Sequence, residues 1–305
     1  MMWGKRVMRK SCWMSAAGVA LLGALVVTAS GTASSATPTQ NPRLARPATE
    51  RTVPAASKWA QEDGRPAPNL GGNGMNRSRI LSTSTSNSLN WAGFAATGTI
   101  QTVTGSWTQP TVVCSGSKAQ QSAFWIGIDG FAATDPTVQQ IGTDADCTKA
   151  SKGIPSTPVY YAWYQMYPQA LVGLSPTTYP VVPGNVLSAS VIRVGGSYVL
   201  SMSDLGHWTF AVTVAASTPP LNSSAEWIAE APLSCSAGKC KPVPLANFGS
   251  IAFTGATVNG LTVNGAGLVD TRITMTKNKK GSAVKASTSA LDLTGHAFGV
   301  TWLSN

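Results

Sequence analysis

The chain has 305 residues, with 22 Lys or Arg against only 12 Asp or Glu, a formal net charge of +10. Most of the excess is at the N-terminus: residues 1–80 carry 11 Lys or Arg against three carboxylates, and residues 81–305 carry 11 against 9. The folded part is nearly neutral, so we expect no nucleic-acid partner. Two histidines and no CxxC motif leave too few ligands for a zinc site, and we expect no metal or cofactor.

Residues 1–36 are typical of a secretory signal peptide. A basic stretch from Lys5 to Lys10 precedes an apolar run from Ala16 to Val27, and small residues follow as far as Ala36. The apolar run of about 12 residues is too short to span a bilayer. We therefore expect a secreted, extracellular protein that is a monomer and has no membrane association after signal removal.

The composition of residues 37–80 predicts a disordered basic pro-segment or linker. The segment is rich in Pro, Gly, Arg and Ala and has no sustained periodicity, so it cannot bury enough apolar surface to become ordered. If the segment is cut off near Arg77 or Arg79, the uncut chain is a zymogen. Its basic segment would then cover an acidic cleft until it is cut away.

Residues 81–305 predict an all-β fold, a sandwich of two antiparallel sheets of the concanavalin-like jelly-roll type. Short segments rich in β-branched and aromatic residues alternate with Gly, Pro, Asn and Ser at spacings of ~8–15 residues. Hairpin turns are predicted at Gly195-Gly196 and at Gly281. The predicted strands are PTVVCS, SAFWIGID, PVYYAWYQMYP, VLSASVIRV, SYVLSMSD, WTFAVTVAA, AEWIAEA, IAFTGATV, RITMTK and HAFGVTWL.

Four cysteines remain after signal removal, and an even number in a secreted chain favours disulfides. Cys235 and Cys240 enclose only the four residues SAGK, so we expect them to pair with each other. Cys114 then pairs with Cys147.

The stretch SSAEWIAEAPL carries two of the chain's few carboxylates, Glu226 and Glu230. On a strand, Glu226, Ile228 and Glu230 share one face, and Trp227 and Ala229 point to the other. The simplest interpretation is a pair of solvated glutamates on an exposed sheet face. The scarcity of carboxylates elsewhere, and aromatic strands such as YYAWYQMYP, favour a functional role instead.

Several common catalytic patterns are absent from the sequence. It contains no G-x-S-x-G, no Asp-Thr-Gly or Asp-Ser-Gly loop and no glycine-rich phosphate loop. Catalysis would have to use carboxylates, amides and aromatic side chains.

Seven segments, in order, resemble the glutamic peptidases, also called eqolisins, and point to a secreted bacterial branch. They cover nearly all of residues 88–260: NWAGF, GSWTQPTV, FWIGIDG, TVQQIGTD, YAWYQMYP, AEWIAEAP and ANFGSIAFTGA. The resemblance implies a two-sheet sandwich and a secreted acid endopeptidase that hydrolyses polypeptides.

The resemblance also implies a catalytic pair. Gln140, about fifteen residues after Trp125, matches the family's glutamine, and its neighbour Gln139 is excluded. Glu226 matches the family's glutamate. As general base, Glu226 would take a proton from water, and the Gln140 amide would donate to the developing oxyanion. An ordinary glutamate pKa near 4 would place activity in the acid range.

Further positions match residues that line or support the family's cleft. The candidate substrate-binding residues are Trp125, Asp129, Asp144, Trp163 and, as a same-face neighbour of unassigned role, Glu230. For the two tryptophans, core packing is an equally good interpretation.

Two departures from the fungal members concern the cleft. Tyr161 stands where they have Asp, and Gln165 stands where they have an acidic residue. The loss of two carboxylates is expected to alter subsite preference and raise the pH optimum.

Two other functions compete with the peptidase hypothesis. In a glycosidase, Glu226 and Glu230 would flank a sugar bond with carboxyls ~5 Å apart, but Gln140 would then have no role. A secreted carbohydrate- or wall-binding sandwich would need aromatics and polar edges, but no Gln/Glu pair.

Overall fold

The computed structural model describes residues 83–236, 239–278 and 280–305, apart from the side chains of residues 236 and 239. The segments predicted as signal peptide (1–36) and pro-segment (37–80) lie outside these residues. The described part forms seventeen strands and no helix. A helix long and apolar enough to cross a membrane is accordingly not found in it.

The strands, in chain order, are β1 (Ser84–Ser88), β2 (Trp91–Thr97), β3 (Thr102–Thr108), β4 (Ala123–Ile128), β5 (Val138–Cys147), β6 (Pro158–Tyr167), β7 (Val172–Gly173), β8 (Val186–Val194), β9 (Ser197–Asp204), β10 (Trp208–Ala215), β11 (Ser224–Glu230), β12 (Leu233–Ser236), β13 (Lys239–Pro242), β14 (Ser250–Val258), β15 (Val269–Thr276), β16 (Val284–Thr288) and β17 (Phe298–Trp302).

Fifteen of the strands belong to one hydrogen-bonded sheet. Its order is β10-β9-β8-β3-β14-β17-β16-β15-β2-β11-β4-β5-β6-β7, with β1 paired to β15. The β1–β15 pairing is parallel and the other pairings are antiparallel. Strands β12 and β13 form a separate hairpin.

This sheet folds over on itself to make the predicted sandwich. The indole of Trp107 on β3 donates to Thr143 Oγ1 on β5 at 3.0 Å, although these strands are far apart in the hydrogen-bonded order. The indole of Trp227 on β11 likewise donates to the Thr104 carbonyl on β3 at 2.7 Å. The fold class is therefore confirmed, with the two layers joined along one edge through β16.

The main core lies between the two layers. Strand β9 alternates buried and half-buried residues, as expected for a strand with one face against a core. Phe94 on β2 packs on Phe298 of β17 with ring centroids 4.8 Å apart. This contact links the two layers close to the place where the sheet bends from one into the other. Burying such large aromatic side chains is the main favourable term in folding.

One predicted strand is wrong. The segment PTVVCS, residues 110–115, makes only an isolated bridge between Val113 and Asn247. Its backbone donors go to unrelated partners, because Val112 N–H bonds the Tyr160 hydroxyl at 3.0 Å and Val113 N–H bonds the Asn247 carbonyl. Pro110 has no N–H to contribute to a ladder.

The turn and disulfide predictions are confirmed. Strands β8 and β9 are joined through Gly195-Gly196, and Gly281 has φ 78° in the turn before β16. Cys114 pairs with Cys147, and Cys235 pairs with Cys240 across the β12–β13 hairpin.

Candidate active site

Strand β11 presents its glutamates on the face of its layer that points away from the main core. Trp227 and Ala229 lie in that core, whereas Ile228 belongs to a second apolar cluster on the opposite face, called here the site face. The predicted alternation is thus confirmed. The interpretation of solvated glutamates is wrong, because Glu226 is 0% exposed and Glu230 is 6% exposed.

The strand register brings Glu226 and Gln140 to the two sides of one glycine. Glu226 on β11 is opposite Gly127 on β4, and Gly127 is opposite Gln140 on β5. The Cα atoms of Glu226 and Gln140 are therefore two strand spacings apart, about 10 Å. Since Gly127 has no side chain, only its backbone lies between the two side chains; this interval is called here the gap, and the edge of the Trp125 indole reaches over it.

The floor of this gap leaves little room for a larger residue. A Cβ on Gly127 would lie 3.1 Å from Trp125 Cζ3 and 3.2 Å from Gln140 Cβ. Glycine therefore keeps both the Trp125 indole and the Gln140 side chain close to the gap.

The Glu226 carboxyl group is buried without a hydrogen-bond partner. Among the described residues, neither of its oxygens accepts a hydrogen bond, and the adjacent Ser224 hydroxyl makes none of ordinary geometry with it. Burial raises the pKa of Glu226 well above its usual value, and the charges of Asp129 and Asp135 raise it further. The Ser224 hydroxyl lies close enough to favour the charged carboxylate, and so it lowers the pKa of Glu226 in part.

The amide of Gln140 is held from one side only. Its Nε2 donates to Gln165 Oε1 at 2.9 Å, and Gln165 Nε2 in turn donates to the Gln169 carbonyl at 2.9 Å. Gln140 Oε1 is buried and unpartnered in the described structure. This chain of amides fixes which end of Gln140 is the NH₂ group, and one of its two hydrogens remains available.

Gln139 faces the other way, as expected from alternation along β5. With its amide oriented to satisfy both ends, it donates to Asp129 Oδ2 at 3.2 Å and accepts from Thr137 Oγ1 at 3.2 Å. Of these two neighbouring glutamines, only Gln140 shares a face with Glu226.

Next to the Glu226 row, bulky residues and glycines alternate across the sheet. Ile228 is opposite Trp125, Trp125 is opposite Gly142, and Gly142 is opposite Trp163. A Cβ on Gly142 would lie 2.5 Å from Trp125 Cβ, so only glycine fits beneath that side chain. The two indoles belong to the buried apolar cluster of the site face.

Glu230 holds one of these indoles. Its carboxylate accepts hydrogen bonds from Trp125 Nε1 at 2.7 Å and from Asn90 Nδ2 at 3.1 Å. Burial raises the pKa of Glu230 to about 8. The hydrogen bonds favour the charged form and oppose this shift, but burial has the larger effect. The sequence left Glu230 without a role, and its contacts make it a support for Trp125.

Asp144 holds the other indole. It accepts from Trp163 Nε1 at 2.6 Å and from the Tyr161 hydroxyl at 2.7 Å, and burial raises its pKa to about 7. The same hydroxyl lies 3.4 Å from Asp146, whose pKa burial and the Asp144 charge raise well above its usual value. Asp146 was not predicted as a site residue, and Tyr161 was noted only as a departure.

Asp129 is near the site but turned towards the chain that leads into β11. Its carboxylate accepts from the backbone N–H groups of Asn222 at 2.9 Å and Ser223 at 2.8 Å. Burial, and then the neighbouring Asp135, raise its pKa to about 7. Asp129 thus anchors the start of the strand that carries Glu226.

The two histidines make their hydrogen bonds elsewhere in the described structure. His207 bonds Asp204 and His296 bonds the Ala256 carbonyl, so neither is a base in this cleft. The described part contains no group of three or more His, Cys, Asp or Glu placed to hold a metal. The carboxyl of Glu226 and the carboxamide of Gln140, on either side of Gly127, are therefore the candidate reacting groups of this face.

Comparison with known proteins establishes the family. The model of the Peptidase A4 family matches residues 89–295, and the chain belongs to this family of glutamic peptidases, as the sequence resemblance implied. The protein is thus a glutamic endopeptidase, a hydrolase that acts on polypeptides. No curated protein matches the chain.

Two solved structures show the same fold. Scytalido-glutamic peptidase, crystallised with a peptide-based transition-state analogue, is 22% identical with a TM-score of 0.56. SCP-B, an eqolisin in complex with the tripeptide Ala-Ile-His, is 21% identical with a TM-score of 0.52. Each match covers 70% of this chain and 98% of the other.

Proposed function

We propose that the protein hydrolyses peptide bonds with Glu226 as general base and Gln140 as oxyanion donor. The observation that carries this proposal is the placement of the two side chains on either side of Gly127, with buried oxygens that have no hydrogen-bond partner. Buried polar groups are normally satisfied, so unsatisfied ones that face each other across a gap are suited to a reacting molecule.

The free groups match what amide hydrolysis needs. A water in the gap can donate one hydrogen to Glu226 and the other to Gln140 Oε1. As Glu226 takes its proton, the water oxygen bonds the peptide carbon, and the carbonyl electron pair moves onto oxygen. The second hydrogen of Gln140 Nε2 then donates to this oxyanion, and one such donor is typically worth about 3–4 kcal/mol. Glu226 finally returns the proton to the departing nitrogen as the C–N bond breaks.

The pKa of Glu226 sets the acid limit of this reaction. The base must be ionised, so the rate falls as the pH falls through its pKa. An ordinary glutamate would place that limit near pH 4, as the sequence predicted. Burial raises the pKa of Glu226, so we expect kcat/KM to reach its plateau at a less acid pH than an ordinary glutamate allows.

The two indoles shape the substrate site from beneath in this proposal. Trp125 and Trp163 are buried, at 0% and 3% exposed, and Glu230 and Asp144 keep their rings in place through the indole N–H groups. Asp129 acts indirectly, because it holds the backbone of Ser223 just before the strand that carries Glu226. We propose roles in substrate positioning, and not direct contact, for these three carboxylates.

We further propose that the enzyme acts outside the cell as a monomer, after removal of residues 1–80. The N-terminal sequence pattern supports export, and two disulfides suit an oxidising compartment.

Replacing Gln140 by Met tests the proposal at the amide. We expect kcat to fall 10²–10³-fold on an unfolded protein substrate, because the oxyanion loses its donor. The matched control is Gln101→Met, the same change at an exposed glutamine outside the site. A Gln140→Met enzyme that retains kcat within about threefold of the control would remove Gln140 from the mechanism.

A further inference from the structure

A lysine-lined cavity lies outside the residues of the active site. Its volume is about 300 Å³, near the lower limit for small-molecule sites. It is bounded by residues of the β12–β13 hairpin, of the β15–β16 hairpin and of the segment before β2. The lining residues are Leu89, Lys241, Pro242, Thr276, Lys277, Lys285 and Asn305.

Lys285 is the unusual member of this set. It lies on β16 and is only 6% exposed. Its backbone carbonyl is used by the N–H groups of Leu303 and Ser304, but its ammonium group has no hydrogen bond or ion pair within the described structure. The stem of Lys285 is therefore buried, while its ammonium group reaches the cavity and is free to bind an anion there.

Two further lysine side chains lie around Lys285. Lys241 and Lys277 line the same cavity, and the other lining side chains are uncharged. Burial, and then the Lys277 charge, lower the pKa of Lys285 to about 8. Lys285 therefore remains mostly charged at pH 7 and below, and the three lysines repel one another.

Packing of an apolar lysine stem does not explain this arrangement. A stem can cover apolar surface while its ammonium reaches water. That use does not require three lysines around one cavity in a domain whose charges are few and nearly balanced.

We propose that this cavity binds a small multivalent oxyanion, a phosphate or sulfate group, through Lys241, Lys277 and Lys285. Such a group offsets the positive charge that the three lysines bring to one cavity and accepts hydrogen bonds from their ammonium groups. The proposal is independent of the peptidase mechanism.

Calorimetric titration of the full chain with sodium sulfate at pH 6.5, with ionic strength held constant by chloride, tests the site. We expect saturable binding by the wild type and by Lys152→Met, an exposed lysine outside the cavity. Lys285→Met should raise Kd at least tenfold, and Lys241→Met or Lys277→Met several-fold. Glycerol 3-phosphate is the second probe: affinity equal to that of sulfate indicates a free ion as ligand, and tighter binding indicates an organic ester.

Thermal unfolding provides the check on folding. Met has nearly the shape of Lys without its charge, so Lys285→Met should unfold at the wild-type temperature or above it without sulfate. Sulfate should raise the Tm of the wild type and not that of the variant. If Lys285→Met does not fold, the exposed Lys241 and Lys277 variants decide. No saturable binding by the wild type, or equal Kd and Tm shifts in wild type and lysine variants, would overturn the proposal.

Discussion

Three of the acidic side chains on the site face, those of Glu226, Glu230 and Asp144, differ in their hydrogen-bond partners. Glu230 and Asp144 each accept an indole N–H, whereas Glu226 accepts nothing within the described structure. A buried polar group left unsatisfied costs about 1–3 kcal/mol. Glu226 is therefore retained at the expense of stability, which is typical of a group kept for chemistry.

The same substitution at the two glutamates of β11 should have opposite effects on stability. Glu226→Met removes an unsatisfied carboxyl, and we expect a gain of about 1 kcal/mol in the free energy of unfolding at pH 7. Glu230→Met leaves the Trp125 and Asn90 donors unpaired, and we expect a loss of about 2 kcal/mol. Denaturant unfolding measures both. A loss of equal size in both variants would contradict the assignment of different roles.

Gln165 should act as a positioning residue for Gln140. Gln165→Leu removes the acceptor of Gln140 Nε2 and lets the amide turn, so we expect kcat to fall about tenfold, equivalent to one hydrogen bond, with KM little changed. Gln165→Glu keeps an acceptor oxygen and should recover part of the rate. The control is Gln169→Ala, because Gln169 contributes only its backbone carbonyl. Steady-state kinetics in which KM alone changes would point to a substrate contact instead.

At the scale of elements, the active site is a matter of register between neighbouring strands. Glu226, Gly127 and Gln140 come from three strands, and a shift of one residue in either pairing would turn one side chain to the main core. The sandwich layer therefore does not merely carry the site. Its hydrogen-bond ladders set the separation between base and oxyanion donor.

Gly127→Ala should damage the site more than the fold. The new methyl would crowd Trp125 and Gln140 at the floor of the gap, and overpacking of this kind costs about 1–3 kcal/mol. We expect kcat/KM to fall at least tenfold while the protein remains folded. Gly196→Ala is the control, since a Cβ there meets nothing within 4 Å. Wild-type kcat/KM in Gly127→Ala would show that the gap tolerates a side chain.

Much of the architecture could be predicted from local patterns. Nine of the ten predicted strands, the Gly195-Gly196 turn and both disulfides are present. Eight of the seventeen strands were not predicted, and among them β3 and β5 gave no strand signal because TVTGSWT and VQQIGTDADC mix polar residues with glycine. Their place in the sheet depends on partners distant in sequence, which a local pattern does not contain.

The candidate site was predictable in part. Alternation placed Glu226 and Glu230 on one face, and family resemblance supplied Gln140. Burial of both glutamates could not be inferred, because alternation specifies a face and not what covers it. The roles of Gln165 and Asp146 depend on cross-strand contacts, and the only sequence signal was that Gln165 and Tyr161 replace expected acids.

At the scale of the whole molecule, the buried carboxyls reverse the usual dependence of stability on pH. Burial raises the pKa of Asp129 and Asp144 to about 7, and that of Glu230 to about 8. Between pH 4 and 8, the folded state therefore binds more protons than the unfolded state, whose carboxyls are already ionised. The free energy of unfolding then falls as pH rises.

We expect the Tm to be highest near or below pH 4 and to decrease steadily up to pH 8, as differential scanning calorimetry would show. Lys285 contributes a pH dependence of the opposite sign, because its pKa is lowered from 10.5 to about 8 in the folded state. Its contribution to the free energy of unfolding changes only above about pH 8. A Tm that increases from pH 4 towards neutrality would contradict the raised carboxyl pKa values. Stability in acid would suit a secreted peptidase.

The decisive measurement is cleavage of an unfolded protein substrate by wild type and Glu226→Gln side by side, from pH 3 to 7 with pepstatin present. Gln has the shape of Glu and cannot act as the base, so we expect wild-type cleavage, with an acid limit set by Glu226, and none by the variant. Circular dichroism should show the same fold for both. Cleavage of comparable rate by a folded Glu226→Gln protein would contradict the role of Glu226 as the catalytic base.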